Sequence, residues 1–245
     1  MRILLFFLLV ACSTFLPAQS PNPPASGFNA DGSDAKAIEV ADAVMQAQGG
    51  RQAWDDTHYL VWTFFGRRTL TWDKWSGWVR IDWTDKSQNI VVNINTGAGK
   101  VWLKGIAQTH ADSLKKYLDI GKRVWINDSY WLAMPFKLKD SGVTLKYRGD
   151  TSATQDGRKA YLLQLTFQNV GVTPDNKYHV WVDQETKLVT QWAYFKKYTD
   201  EKPDFINPWT DYALVGRVRL SGGRGRGALT NIAAPETLPP GIFEQ

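Results

Sequence analysis

Three histidines, one cysteine and scattered carboxylates are the groups through which this 245-residue chain could do chemistry. His58, His110 and His179 lie far apart, and none has a second ligand-type residue at the spacing of a metal site. HExxH, GxSxG, the phosphate-binding GxxxxGK loop and a GxGxxG following a strand are all absent. His179 stands between Tyr178 and Val180 in an alternating run and reads as an ordinary strand residue. Asp55-Asp56 and Asp82 are carboxylates of the type that flank a sugar in glycosidases, but sequence offers no means of pairing them. A single Cys excludes an internal disulfide, an all-cysteine zinc site and a CxxC redox pair. The expectation is a protein without catalytic residues, metal or cofactor.

The cationic residues point nowhere sharper. Lys and Arg total 29 against 24 Asp and Glu, a net charge of +5 that is spread along the chain, so nucleic acid is not an expected partner. The segment GGRGRG over 222–227 reads as a flexible, solvated loop. Asn127-Asp128-Ser129 matches a glycosylation sequon, which is incidental beside a bacterial-type export signal.

That signal occupies residues 1–18. Arg2 is followed by an unbroken apolar run, Ile3 to Val10, and Leu16-Pro17-Ala18 offers a cleavage site before Gln19. No later run is as apolar, so the mature chain is not expected to span a bilayer. Leu9-Val10-Ala11-Cys12 leaves a second reading open, a lipobox whose acylated Cys12 would anchor the protein to a membrane. Residues 19–33, rich in Pro, Ser, Gly and Asn, read as a flexible tether. Residues 34–245 then form one domain.

Within that domain the periodicity changes twice. Ala37, Ile38, Ala41, Val44 and Met45 give one helical face, with Ser33 or Asp34 as cap and Gly49-Gly50 as the stop. From His58 to Lys104 the period is two, in five short runs joined by polar turns, which means antiparallel neighbours. Val79, Ile81 and Trp83 share a face opposite Arg80 and Asp82. A helix starting near Thr109 and a separate short turn from Asn127-Asp128, ended by Pro135, interrupt the strands. Strands resume at Val143, Tyr161, Tyr178 and Leu188, with a hairpin turn at Asp183 to Lys187 and one more run from Trp209 to Val215. About ten antiparallel strands and two helical segments predict an α+β, mainly antiparallel architecture, a curved sheet with helices on one face.

The aromatic residues are the informative feature. Of 12 Trp, those at 62, 72, 78, 83, 102, 181 and 192 fall in the predicted strands. Both faces of the first strand carry large apolar groups, so either both are covered or one lines a cavity. The expected cavity lining is Trp62, Phe64, Trp83, Trp181 and Trp192, with Asp128, Tyr130, Trp131 and Leu132 at a lid.

The order of these elements resembles the periplasmic outer-membrane lipoprotein carrier (LolA-like) superfamily. The match rests on IEVADAVMQAQGGRQAW at the start of the domain, KYHVWVDQETKLVTQWAYF as a strand-turn-strand pair and the closing LPPGIF. WINDSYWLAMPFKLKDSGVTL is similar to a segment of an uncharacterised exported branch with that fold. The resemblance implies a half-open, incomplete barrel with a helical lid, whose apolar cavity takes acyl chains. It implies a monomer in the periplasm, with lipid or an acylated protein as cargo and an envelope receptor as partner. It also implies a strand Arg that bonds to the lid, for which Arg67, Arg68 and Arg80 are the candidates. Two other readings are an extracytoplasmic carbohydrate-binding or carboxylate-type hydrolytic protein, and a structural component of the envelope.

Overall fold

The computed structural model describes residues 21–152, 156–168, 170 and 175–244. The export segment, Cys12 and Gln19 lie outside the described residues. The chain begins with helices α1 (Ala35–Ala47) and α2 (Gly50–Asp56), then strands β1 (Tyr59–Phe64), β2 (Arg68–Asp73), β3 (Trp78–Trp83), β4 (Gln88–Asn93), β5 (Gly99–Leu103) and β6 (Ile106–Ala107). Helix α3 (Ala111–Ala133) and a 3-10 turn (Met134–Lys137) follow. Next come β7 (Val143–Ser152), β8 (Lys159–Phe167), β9 (Lys177–Asp183), β10 (Val189–Phe195), β11 (Phe205–Pro208), β12 (Thr210–Val215), β13 (Val218–Gly223) and β14 (Leu229–Ala233). Among the described residues no helix is long and apolar enough to cross a membrane.

Every strand pairing is antiparallel. A seven-stranded sheet has the order β14-β1-β2-β3-β4-β5-β6, and a five-stranded sheet the order β11-β10-β9-β8-β7. Only Trp209 separates β11 from β12; β12 pairs with β13, and a bridge between Gly223 and Ala228 leads on to β14. This ribbon joins the two sheets without closing a barrel. The α+β, mainly antiparallel expectation is therefore what the chain adopts.

Alternation decides what each face buries. Leu60, Trp62 and Phe64 on β1, Leu70 and Trp72 on β2, and Val79 and Ile81 on β3 form a core with Leu118, Leu132 and Phe136 beneath α3. Each such side chain contributes about 1.5–3 kcal/mol when fully buried. The opposite face is polar, with Arg80 bonded to Asp82 and Asp82 to Asn89, as the period of two predicts. The closing LPPGIF segment crosses this face: Arg80 donates to the Ile242 carbonyl and Lys100 to that of Glu244. A second core sits under the five-stranded sheet, where Leu145, Leu163, Val180 and Trp192 meet Val40, Ala41 and Val44 of α1.

Several expectations need correction. The 19–33 segment is no flexible tether where it is described: Asn22 is buried, Ala25 donates to the Lys139 carbonyl, and Asn29 donates to that of Val143. Ser33 and Asp34 do not cap α1 with their side chains. Ser33 Oγ accepts from the Leu145 N–H, and Asp34 holds Lys146 and the Tyr147 N–H, stitching the helix start to β7. Gly49, at φ 116°, does end α1, but a second helix begins at once from Gly50. The short turn proposed at Asn127-Asp128 is instead part of α3, because both side chains are occupied laterally: Asp128 binds Arg68, and Asn127 donates to Asp128. The run expected from Trp209 begins at Thr210 as β12, and β6, β11, β13 and β14 add pairings that the sequence did not announce.

Helix α3 approaches β4 closely at Gly121, where a Cβ would lie 2.7 Å from Ile90 Cγ2. Gly121→Leu should overpack this contact at a cost of about 1–3 kcal/mol, outweighing the roughly 0.8–1 kcal/mol of helix propensity gained. Thermal unfolding followed by circular dichroism should show Tm lower by about 2–4 °C per kcal/mol lost. An unchanged Tm would mean that the helix does not pack this tightly.

Candidate functional site

The C-terminal half of α3 lies between the two sheets. On the seven-stranded side, Phe64, Arg68 and Trp83 stand opposite one another across β1, β2 and β3. The Arg68 guanidinium lies 4.8 Å from the Phe64 ring and 5.8 Å from the Trp83 ring. It meets Asp128 of α3 with a bidentate pair, Nε to Oδ2 at 2.6 Å and Nη2 to Oδ1 at 2.7 Å. Asp128 is wholly buried. Burial pushes its carboxyl above the usual carboxylate range, against the pull of Arg68 and Asn127. Of the three arginines considered as partners for the helix, Arg68 is the one bonded to it, whereas Arg80 serves the opposite face.

A second clamp holds the helix end. An α-helical carbonyl at Trp131 would accept from the N–H four residues on, and Pro135 has none. Arg224 Nη2 donates to that carbonyl at 2.6 Å, placing a cation at a helix C-terminus. The expectation of a solvated GGRGRG loop thus fails at its first arginine: Arg224 is 2% exposed. Its guanidinium stacks 3.6 Å over the Trp209 ring, and it also donates to Ser221 Oγ and the Gly223 carbonyl. Burial pulls its pKa down to about 9, so it stays charged at neutral pH.

Between α3 and the five-stranded sheet is a cavity of about 300 Å³. Six aromatic side chains line it: Trp125, Tyr130 and Trp131 from the helix, Phe167 from β8, Tyr178 from β9 and Trp192 from β10. Trp192 stacks on Tyr178 at 5.1 Å and meets Trp131 edge-on at 4.8 Å. Trp131 also meets Phe65 edge-on at 5.4 Å, so one ring spans both cores. Asn127, Ser129, Lys137, Asp140 and Ser141 add polar groups to the lining, with Lys137 paired to Asp140 at 2.5 Å.

The residues singled out from the sequence divide accordingly. Trp192, Tyr130 and Trp131 line the cavity. Trp62 and Phe64 are buried in the seven-stranded core, and Trp83 packs at its margin beside Arg68. Trp181 lies on the opposite face of the five-stranded sheet with Ala160, Ala193 and Phe195. Leu132 is a core residue, and Asp128 is the ion-pair partner described above. Trp125, Phe167 and Tyr178 were not singled out; Phe167 and Tyr178 were legible only as members of strands, and Trp125 was not placed in any element. Among the carboxylates, Asp55 is held by Arg51 and Asp82 by Arg80, both away from the cavity.

No family model matches the chain, and no curated protein does. Among solved structures, a DUF1329 family protein from Desulfovibrio piger aligns over 85% of this chain and 97% of its own, at 14% identity and a TM-score of 0.50. The likeness shows the fold. It is a curved antiparallel sheet with helices. Crystal structures of MucB, alone and in complex with MucA(peri), align over 86% and 85% of this chain and 63% and 59% of their own. Their identities are 16% and 13%, and their TM-scores of 0.28 and 0.24 are too low to support any inference.

The buried ion pair and a half-buried histidine each give a measurable expectation. Removing one partner of a buried ion pair leaves an uncompensated charge, so Asp128→Ala should cost about 3–5 kcal/mol in urea unfolding. The double variant Arg68→Met, Asp128→Leu should recover most of that loss, and a single-variant cost below about 1 kcal/mol would show that the pair is not desolvated. His179 offers a pH test. Burial, with Lys177 and Arg148 nearby, lowers its pKa from 6.5 to about 4. The folded protein keeps the imidazole neutral while the unfolded chain takes up a proton, so stability is full above pH 6.5 and falls as pH drops from 6.5 towards 4. His179→Leu should flatten that decline in Tm measured across this range; an identical decline would refute the assignment.

Proposed function

We propose that this protein is an exported, non-catalytic carrier that shelters the apolar part of a lipid, or of an acylated protein, in the cavity beneath α3. The observation that carries this reading is the cavity itself: six aromatic side chains around about 300 Å³, under a helix pinned to the seven-stranded sheet by Arg68 and to the joining ribbon by Arg224. That volume is at the lower end of the range for small-molecule sites, roughly 300–1,000 Å³. Each methylene moved from water into such a lining is worth about 0.8 kcal/mol, enough for a short acyl segment to bind in aqueous surroundings. Aromatic walls suit the task because they are large and lose little rotamer freedom. The resemblance of the sequence to the lipoprotein carrier superfamily is in keeping with this use, and the export signal read in residues 1–18 would place the mature protein in the periplasm. An acylated Cys12 would instead tether the same binding domain to a membrane.

Protein purified from its own host and examined by native mass spectrometry should carry lipid-sized adducts. Trp192→Ala should weaken amphiphile binding by about tenfold or more, the expected loss for a large buried aromatic contact. Repeated lipid-free preparations, together with an unchanged affinity in Trp192→Ala, would overturn the proposal.

A further inference from the structure

The cavity is not uniformly apolar. The Tyr130 hydroxyl is buried and has no hydrogen-bond partner among the described residues. So are the indole N–H groups of Trp125 and Trp192, which line the same cavity. An unmet buried donor costs about 1–3 kcal/mol, and three of them around one cavity are a concentrated deficit. The neighbouring Tyr178 differs, since its hydroxyl is engaged by Asn176. Trp62 and Trp72 also bury unpartnered indole nitrogens, but inside the seven-stranded core, where nothing can reach them. Tyr130 sits where an incoming molecule would lie, with Phe167, Tyr178 and Trp192 rings 5.4–6.4 Å from its own. Asp140, already paired to Lys137, is close enough to act on the Tyr130 hydroxyl electrostatically. The hydroxyl is held as a neutral donor, since burial raises its pKa well above the ordinary tyrosine value.

We infer that the cavity selects an amphiphile whose acyl chain carries a carbonyl oxygen at the depth of Tyr130, and that the Tyr130 hydroxyl donates to that oxygen, assisted by the indole of Trp125 or Trp192. This rests on the proposed carrier reading and narrows it: a plain hydrocarbon fills the space, while an ester or carboxyl group also meets the donors. A glycerolipid ester and a free fatty acid present the same carbonyl oxygen, so the chemistry is shared and the source is settled by experiment.

Quenching of the intrinsic Trp fluorescence should be titrated with methyl laurate, lauric acid and the hydrocarbon tetradecane, using wild type and Tyr130→Phe. Wild type should bind one or both oxygen-bearing probes more tightly than the hydrocarbon, and Tyr130→Phe should lose roughly three- to tenfold of that preference. Hydrocarbon affinity should be unchanged in the variant, because the ring remains. Tm of the ligand-free variant should be equal to wild type or higher, since the unmet hydroxyl is gone. Preference for methyl laurate points to an ester and preference for lauric acid to a free acid. Equal binding of all three probes, with no effect of Tyr130→Phe, overturns this inference and leaves the carrier reading standing. Failure of every probe to bind overturns the carrier reading itself.

Discussion

The position of α3 depends on a carbonyl that its own helix cannot satisfy. Pro135 provides no N–H for Trp131, and a buried orphan acceptor at a helix end must find a donor elsewhere. Arg224 reaches it from the end of β13, stacked on Trp209 in the single-residue gap between β11 and β12. The break between β11 and β12, the burial of a charged side chain in a glycine-rich segment and the end of α3 are thus one arrangement. Lys74 plays a similar part for α2, donating to the Trp54 and Thr57 carbonyls at its end while lying 3.8 Å from the Trp54 ring. In both places a cation between a helix C-terminus and an aromatic face replaces the carboxylate partner that a buried charge usually has.

Such contacts are expensive to desolvate and are a poor source of net stability. Their effect is positional. The hydrogen bonds of α3 described above run to Arg68 of the seven-stranded sheet and to Arg224 of the joining ribbon, and Gly121 lets the helix sit directly on Ile90. Towards the five-stranded sheet the helix instead presents Tyr130 and Trp131 to Tyr178 and Trp192, ring against ring. Directional bonds fix one side of the helix, and non-directional packing closes the other. The cavity lies on the second side.

This asymmetry also marks what could be read from the sequence. Alternation in β1 to β5 and in β8 to β10 identified the strands, and in β3 it separated the inward Val79 and Ile81 from the outward Arg80 and Asp82, because a period of two is a local property; it did not assign the face of Trp181, which was expected at the cavity and lies on the far side of its sheet. The turn at Asp183 was legible for the same reason: its carboxylate accepts from the Glu185 and Thr186 N–H groups, as a short turn residue can. Arg224 was not legible, since its local composition is that of a loop and the carbonyl that buries it belongs to a residue far away in the chain. Asn127 and Asp128 misled for a related reason. They are good helix-starting residues, and only the guanidinium of Arg68 on another element makes them mid-helical. Trp62 and Trp192 were both expected at the cavity, but which sheet adjoins it is set by where α3 lies, and that is a tertiary fact.

Aromatic packing on the cavity side has a physical consequence beyond area. Protein interiors collapse around a void when flexible aliphatic side chains can rotate into it, and rigid rings braced edge-to-face resist this. Trp192 is braced by Tyr178, Trp131 and Trp209 together, so it cannot tilt into the cavity without breaking several ring pairs. Enlarging the cavity itself requires α3 and the five-stranded sheet to separate. That motion breaks ring pairs worth about 0.5–1.5 kcal/mol each beyond their area, whereas movement in the other direction would strip Asp128 from Arg68 at about 3–5 kcal/mol. The ion pair is therefore the stiffer side of α3, and the aromatic wall the more yielding one.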